Sequence, residues 1–160
     1  MSLYDVAQVC LNGHCTNSCY NKSPDFNQDY CDKCGEPTIT HCPECKSPIR
    51  GHYTTMFPVP YVPPDFCYKC GKPLPWFSRK MKAAVDLAQL EEVLSEDENT
   101  KFSEYVTDIS KDTPSSQVSA KHIIKLLKKF SKSAAMEMRV LLVDIASESV
   151  KKIFKDPSWF

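Results

Sequence analysis

Three Cys-x-x-Cys pairs, Cys31/Cys34, Cys42/Cys45 and Cys67/Cys70, follow one another closely, and a looser half-site, Cys10-Leu-Asn-Gly-His14, precedes them. No other feature restricts the fold as much, because paired half-sites are the economical way for a short chain to surround tetrahedral metal ions with four N or S ligands each. In such a turn the thiolates accept hydrogen bonds from backbone N–H groups, and a Gly after the second ligand permits the left-handed backbone that draws the pair together. Gly35 and Gly71 hold that place, and Gly13 stands just before His14. A loop-rich segment of about 70 residues buries little apolar area, so metal binding is the natural source of its folding free energy.

All nine cysteines, all four glycines and ten of the twelve prolines lie before residue 79, whereas residues 79–160 are rich in Ala, Leu, Val, Ile, Lys and Glu, a helical composition. The expected architecture is a small α+β chain. Residues 1–78 form a double zinc-ribbon region of short hairpins and knuckles, and residues 79–160 an all-α bundle or hairpin of about four helices. No run approaches the roughly 18 uncharged apolar residues of a membrane span. The N-terminus MSLYDVAQVC has no basic stretch followed by an apolar core. A cytoplasmic location follows as the expectation, and there paired cysteines argue for metal thiolates before disulfides.

Tyr30–Pro37 reads YCDKCGEP and Phe66–Pro73 reads FCYKCGKP, so each looks like the closing half of a unit. Sequential pairing then gives two zinc ions: site one from Cys10, His14, Cys31 and Cys34, site two from Cys42, Cys45, Cys67 and Cys70. A rival pairing joins Cys31/Cys34 to Cys42/Cys45 and leaves Cys10/His14 with Cys67/Cys70. Cys15 and Cys19 remain over, and Cys15 is the alternative to His14 as ligand. With four ligands each, the sites read as structural; a catalytic zinc keeps a position for water or substrate. The zinc-deaminase pattern is absent, since His41 is followed by Cys42 and Pro43.

On CLNGH, YCDKCGEPT, CPECKSPIRG and FCYKCGKPLPW, the first 78 residues resemble a family of uncharacterised bacterial proteins that carry a double zinc ribbon. The resemblance implies cytoplasmic zinc binding at the same eight residues and no settled activity. The helical half looks like the C-terminal part of that family.

Within the second ribbon, KSPIRGHYTTMFPVPYVPPDF carries five prolines and four aromatic residues. Alternation in HYTTMFPVPYV suggests an extended hairpin that the prolines confine to edge or polyproline-like backbone. Arg50, His52, Tyr53, Phe57 and Tyr61 are candidates for gripping a peptide or stacking on bases. The structural reading has these aromatics wrapping the zinc site against Leu74, Pro75, Trp76 and Phe77.

In the helical half, helices are expected over residues 77–96, from Thr100, after Asp112-Thr113-Pro114, and from Ser133 to a stop at Pro157, with Glu148 pairing to Lys152. Residues 91–112 hold eight acids against two lysines. Lys121, Lys125, Lys128, Lys129 and Lys132 fall opposite Ile123, Ile124, Leu126, Leu127 and Phe130 on a single helix and form a stripe for an anionic partner, or merely a solvated face. No Walker loop, nucleophile elbow, GxGxxG or paired-carboxylate site is present. The functional expectation is a non-enzymatic zinc adaptor that docks a protein or nucleic acid, with homodimerisation through the helical half. The alternatives are a redox-responsive zinc-thiolate protein using Cys15 and Cys19, or an enzyme without a visible site.

Overall fold

A computed structural model describes residues 2–54 and 59–159. Phe57, one of the candidate partner residues, lies outside them. The chain divides into two compact units, Met1–Arg79 and Lys80–Phe160.

Among the described residues the first unit has five short strands: β1 (Tyr4–Val6), β2 (Gln8–Cys10), β3 (Cys15–Asn17), β4 (Thr38–Ile39) and β5 (Arg50–Tyr53). All pairings are antiparallel; β2 lies between β3 and β4, and β1 pairs with β5. Its buried apolar side chains, Ala7, Val9, Ile49, Leu74, Trp76 and Phe77, are few for 79 residues. The Phe66 and Phe77 rings meet edge to face at 5.2 Å, and the Trp76 indole N–H donates to the Pro64 carbonyl at 3.0 Å.

Three buried polar side chains do the work of secondary structure between β3 and β4. The Asp5 carboxylate accepts from the N–H groups of Val6, Asn21 and Lys22. Gln8 Oε1 accepts from Thr16 Oγ1 and the Gln28 N–H, and Asn17 Nδ2 donates to Ser23 O and Asn27 Oδ1. Backbone groups that no ladder reaches are thereby paired, as buried polar groups must be.

Among the described residues five α-helices follow. α1 (Pro75–Leu90) begins in the first unit; α2 (Glu96–Ile109), α3 (Ser116–Leu127), α4 (Lys132–Ile145) and α5 (Glu148–Lys155) belong wholly to the second. α2 packs on α3, and α3 and α4 both pack on α5, enclosing Phe102, Val106, Ile109, Ile123, Leu127, Met138, Leu142, Val150 and Phe154. None of the helices is long and apolar enough to cross a membrane.

The helix boundaries differ from the expected ones for identifiable reasons. α2 starts four residues before Thr100, because Ser95 and Glu98 form a reciprocal capping box. α3 starts at Ser116, two residues beyond Pro114: the buried Ser116 hydroxyl donates to the carbonyls of Asp108 and Lys111, which fixes the turn. The expected last helix is two, since Ala146 is extended (φ −63°, ψ 142°) and the Ser147 N–H donates to Ile109 O at the end of α2. Glu148 accordingly pairs with Lys151, not Lys152. Arg139 Nε closes the far end of α5 by donating to Phe154 O at 2.6 Å.

Candidate metal centres

Each Cys-x-x-Cys turn is held by the same hydrogen bonds. The N–H four residues beyond the first cysteine donates to that cysteine's carbonyl: Gly35 to Cys31 (2.8 Å), Lys46 to Cys42 (2.9 Å) and Gly71 to Cys67 (2.9 Å). The cysteine N–H donates to the carbonyl five residues on, of Glu36, Ser47 and Lys72 respectively. The N–H seven residues on, of Thr38, Ile49 or Leu74, returns to the carbonyl two residues before the cysteine. Isolated bridges close each turn, Tyr30 with Pro37, His41 with Pro48 and Phe66 with Pro73.

Three equivalent knuckles therefore exist where the sequence shows two copies. HCPECKSP has the same geometry as YCDKCGEP and FCYKCGKP, with Lys46 in the left-handed region (φ 62°) where the others place Gly35 (φ 74°) and Gly71 (φ 72°). The motif thus does not distinguish a closing half from an opening one, because the Cys42 turn opens its site. The half-site at Cys10 is tighter by one residue: Gly13 N–H donates to Cys10 O, and Cys10 N–H to His14 O, both at 2.9 Å.

The turns gather two groups. Cys10, His14, Cys31 and Cys34 form one, and Cys42, Cys45, Cys67 and Cys70 the other; within each group the four ligand atoms lie within 4.8 Å of one another. Cys10 Sγ is 3.4 Å from His14 Nδ1 and 3.7 Å from Cys34 Sγ, and Cys31 Sγ is 3.5 Å from His14 Nδ1. In the second group Cys42 Sγ stands 3.9 Å from Cys70 Sγ, and Cys45 Sγ 3.6 Å from Cys67 Sγ. Two sulfurs about 2.3 Å from a tetrahedral ion are separated by about 3.8 Å, and sulfur and nitrogen by about 3.6 Å. A disulfide requires about 2.05 Å, and all nine cysteines are free. The separations fit two metal ions, and the pair of clusters fits a double zinc ribbon.

Backbone donors aim at the sulfurs: His14 N–H at Cys10, Lys33 N–H at Cys31 and Lys69 N–H at Cys67, at 3.3–3.4 Å. The Glu36 N–H holds the Cys34 thiol down at about 6. The Ser47 hydroxyl and N–H do the same for Cys45, also about 6. Cys70 is pushed up to about 11 despite its bond from the Lys72 N–H, by burial and the neighbouring thiols of Cys45, Cys67 and Cys42. Four thiols this close share protons until a cation replaces them.

His14, not Cys15, contributes to the first group. Cys15 stands in β3, where burial pushes its thiol up to about 11, opposite to what a reactive thiolate needs. Arg50, His52 and Tyr53 lie on β5; the Tyr61 hydroxyl donates to Arg50 O at 2.6 Å. The lysines do not form one stripe. α3 ends at Leu127, so Lys121 and Lys125 share it, Lys128 caps it, Lys129 pairs with Glu98 of α2, and Lys132 opens α4.

A family model described as an uncharacterised protein conserved in bacteria, DUF2321, matches residues 3–154. No curated protein and no solved structure matches.

Proposed function

We propose that this chain, which belongs to the uncharacterised bacterial family DUF2321, is a cytoplasmic zinc-binding adaptor without catalytic activity of its own. Two structural zinc ions would be held by Cys10, His14, Cys31 and Cys34 and by Cys42, Cys45, Cys67 and Cys70, and the fixed surface would dock a protein partner. The observation that carries the reading is the saturation of both centres: each group supplies four protein donors at tetrahedral spacing, leaving no position for water or substrate. Zinc supplies folding free energy there, which a unit with so small an apolar core requires. A surface held rigid by metal loses little ordering entropy on binding.

Electrostatics favour protein over nucleic acid as the partner. Residues 1–79 carry seven Lys or Arg against seven Asp or Glu. Zinc on three thiolates and an imidazole leaves one negative charge, and zinc on four thiolates leaves two, so the loaded unit is net negative. Nucleic-acid binding rests on several phosphate contacts from a basic surface, and the dispersed lysines of α3 and α4 do not provide one.

The test is metal content by native mass spectrometry, with far-UV circular dichroism to follow the helices. Two zinc ions per chain are expected, falling to one in Cys31→Ser and one in Cys67→Ser. A wild-type chain that retains no zinc, or loses none with these substitutions, refutes the assignment.

A further inference from the structure

Beside β5 lies a groove of about 520 Å³, whose lining includes Tyr4, Arg50, Tyr53, Pro60, Tyr61 and Pro64. That volume falls in the range of about 300–1,000 Å³ found for ligand pockets. Three contacts hold its walls. The Tyr61 hydroxyl is spent on Arg50 O, Pro64 O is held by the Trp76 indole, and the Tyr4 and Tyr53 rings pack 5.3 Å apart. Tyr53 and Tyr4 are nevertheless exposed, as are Val59 and Val62, so apolar surface faces solvent along the groove.

Among the described residues its one permanent charge is the Arg50 guanidinium, which lies over the Tyr4 ring at 4.8 Å and the Tyr68 ring at 3.9 Å. Stacking fixes the plane of the cation through its π face and consumes none of its five N–H donors. Among the described residues none of those donors is hydrogen-bonded, and no acid lines the groove. A planar fork of this kind takes a carboxylate through two parallel hydrogen bonds, and ring stacking spares the side-chain entropy that a free arginine loses.

We infer that this groove binds an extended peptide segment of a partner protein in which an Asp or Glu stands beside proline or another apolar residue. The inference rests on the adaptor reading and names its partner. The carboxylate is received by Arg50, and the flanking apolar side chain lies against Tyr4, Tyr53, Tyr61 and Pro60. One arginine suffices for one carboxylate, whereas a nucleic-acid strand requires a row of cations that the lining does not contain. Aromatic and proline walls suit polyproline-like or extended backbone, which is ordered at little entropic expense.

The experiment is selection of random heptapeptides displayed on phage against the zinc-loaded full chain, followed by calorimetry on the synthetic consensus. Expected is a consensus with an acid next to proline or an apolar residue. Its affinity should fall at least tenfold in Arg50→Ala and less in Arg50→Lys, with both zinc ions retained in each variant. Replacing the peptide acid by its amide should weaken binding to the wild type by a similar factor and leave Arg50→Ala indifferent. A consensus lacking an acid, no consensus at all, an affinity within twofold in Arg50→Ala, or displacement by a single-stranded oligonucleotide overturns the inference. A consensus that binds Arg50→Ala normally removes this groove but leaves the adaptor reading standing; absence of zinc from the wild type removes that reading at its base.

Discussion

A methyl group added at Gly51, in the middle of β5, would lie 2.3 Å from the Ser18 carbonyl oxygen and 2.7 Å from the Val6 carbonyl carbon. Both are backbone atoms, so no rotamer change relieves the clash. The closest ordinary C···O contacts are about 3.3 Å, and β5 would have to withdraw by about 1 Å. Two hydrogen bonds cross that gap: His52 N–H to Ser18 O (2.7 Å) and Ala7 N–H to Ile49 O (2.8 Å). At a net 0.5–1.5 kcal/mol each, their loss amounts to about 1–3 kcal/mol. Gly51→Ala should therefore destabilise the zinc-loaded first unit by about 2 kcal/mol. Gly35→Ala is the control, because a methyl there meets nothing within 4 Å and only the left-handed φ of +74° opposes it, at roughly 1 kcal/mol. The assay is a urea titration in which zinc released to a chromophoric chelator reports unfolding of the unit. If Gly51→Ala loses no more than Gly35→Ala, the close approach of β5 to Ser18 is not what excludes a side chain there.

Lys46→Gly should relieve a left-handed lysine, a strain of about 1–2 kcal/mol. The extra freedom of unfolded Gly offsets about 0.5–1 kcal/mol of this, so zinc retention at the second centre should tighten slightly. Weaker retention in a chelator competition would count against the equivalence of the three knuckles. Ser95→Ala should cost the helical unit about 1 kcal/mol by removing one side of its capping box, measured as a lower thermal midpoint of the helical circular dichroism. Glu98 is held below the usual carboxylate range, first by Lys129 and then by the Ser95 N–H. Because its folded value is depressed, its contribution is present in full above its unfolded value of about 4.3 and lost as pH falls through the folded one. The stability gap between wild type and Glu98→Gln should close below about pH 4; a gap that widens in acid would contradict this.

Ligand spacing made the N-terminal half legible, because a metal centre needs specific atoms and the residues that carry them are few. The third knuckle was harder to see for one reason: Lys46 stands where Gly marks the others, and the left-handed turn is then written only in the bridge between His41 and Pro48. The helices were legible as amphipathic segments, but the capping box of Ser95 and Glu98 starts α2 inside the stretch assigned to the preceding helix and ahead of Thr100. The division of α4 from α5 was not legible. No Gly or Pro stands at Ala146–Ser147, and the break is made by a hydrogen bond to Ile109 in another helix. That same break in continuity applies to the lysines, whose apparent stripe assumed a helix running past Leu127. The groove beside β5 depends on ring stacking around Arg50 that brings Tyr4 and Tyr68 to one side chain from distant parts of the sequence.

The likeness of the three knuckles has a consequence for how the chain acquires its metals. Half-sites with the same internal hydrogen bonds present interchangeable pairs of thiolates, so an ion arriving at a nascent chain has more than one way to be satisfied. Seven residues separate Cys34 from Cys42, against 21 between Cys45 and Cys67, and loop entropy favours the shorter closure by about 1 kcal/mol. The wrong partnership between neighbouring knuckles is thus the entropically easier one to form. Order of emergence works against it: translation proceeds from the N-terminus at about 5–20 residues per second, and Cys10, His14, Cys31 and Cys34 are all exposed before Cys42 and Cys45 appear. An ion captured early by the first four ligands withdraws Cys31 and Cys34 from competition and leaves the second centre one available pairing.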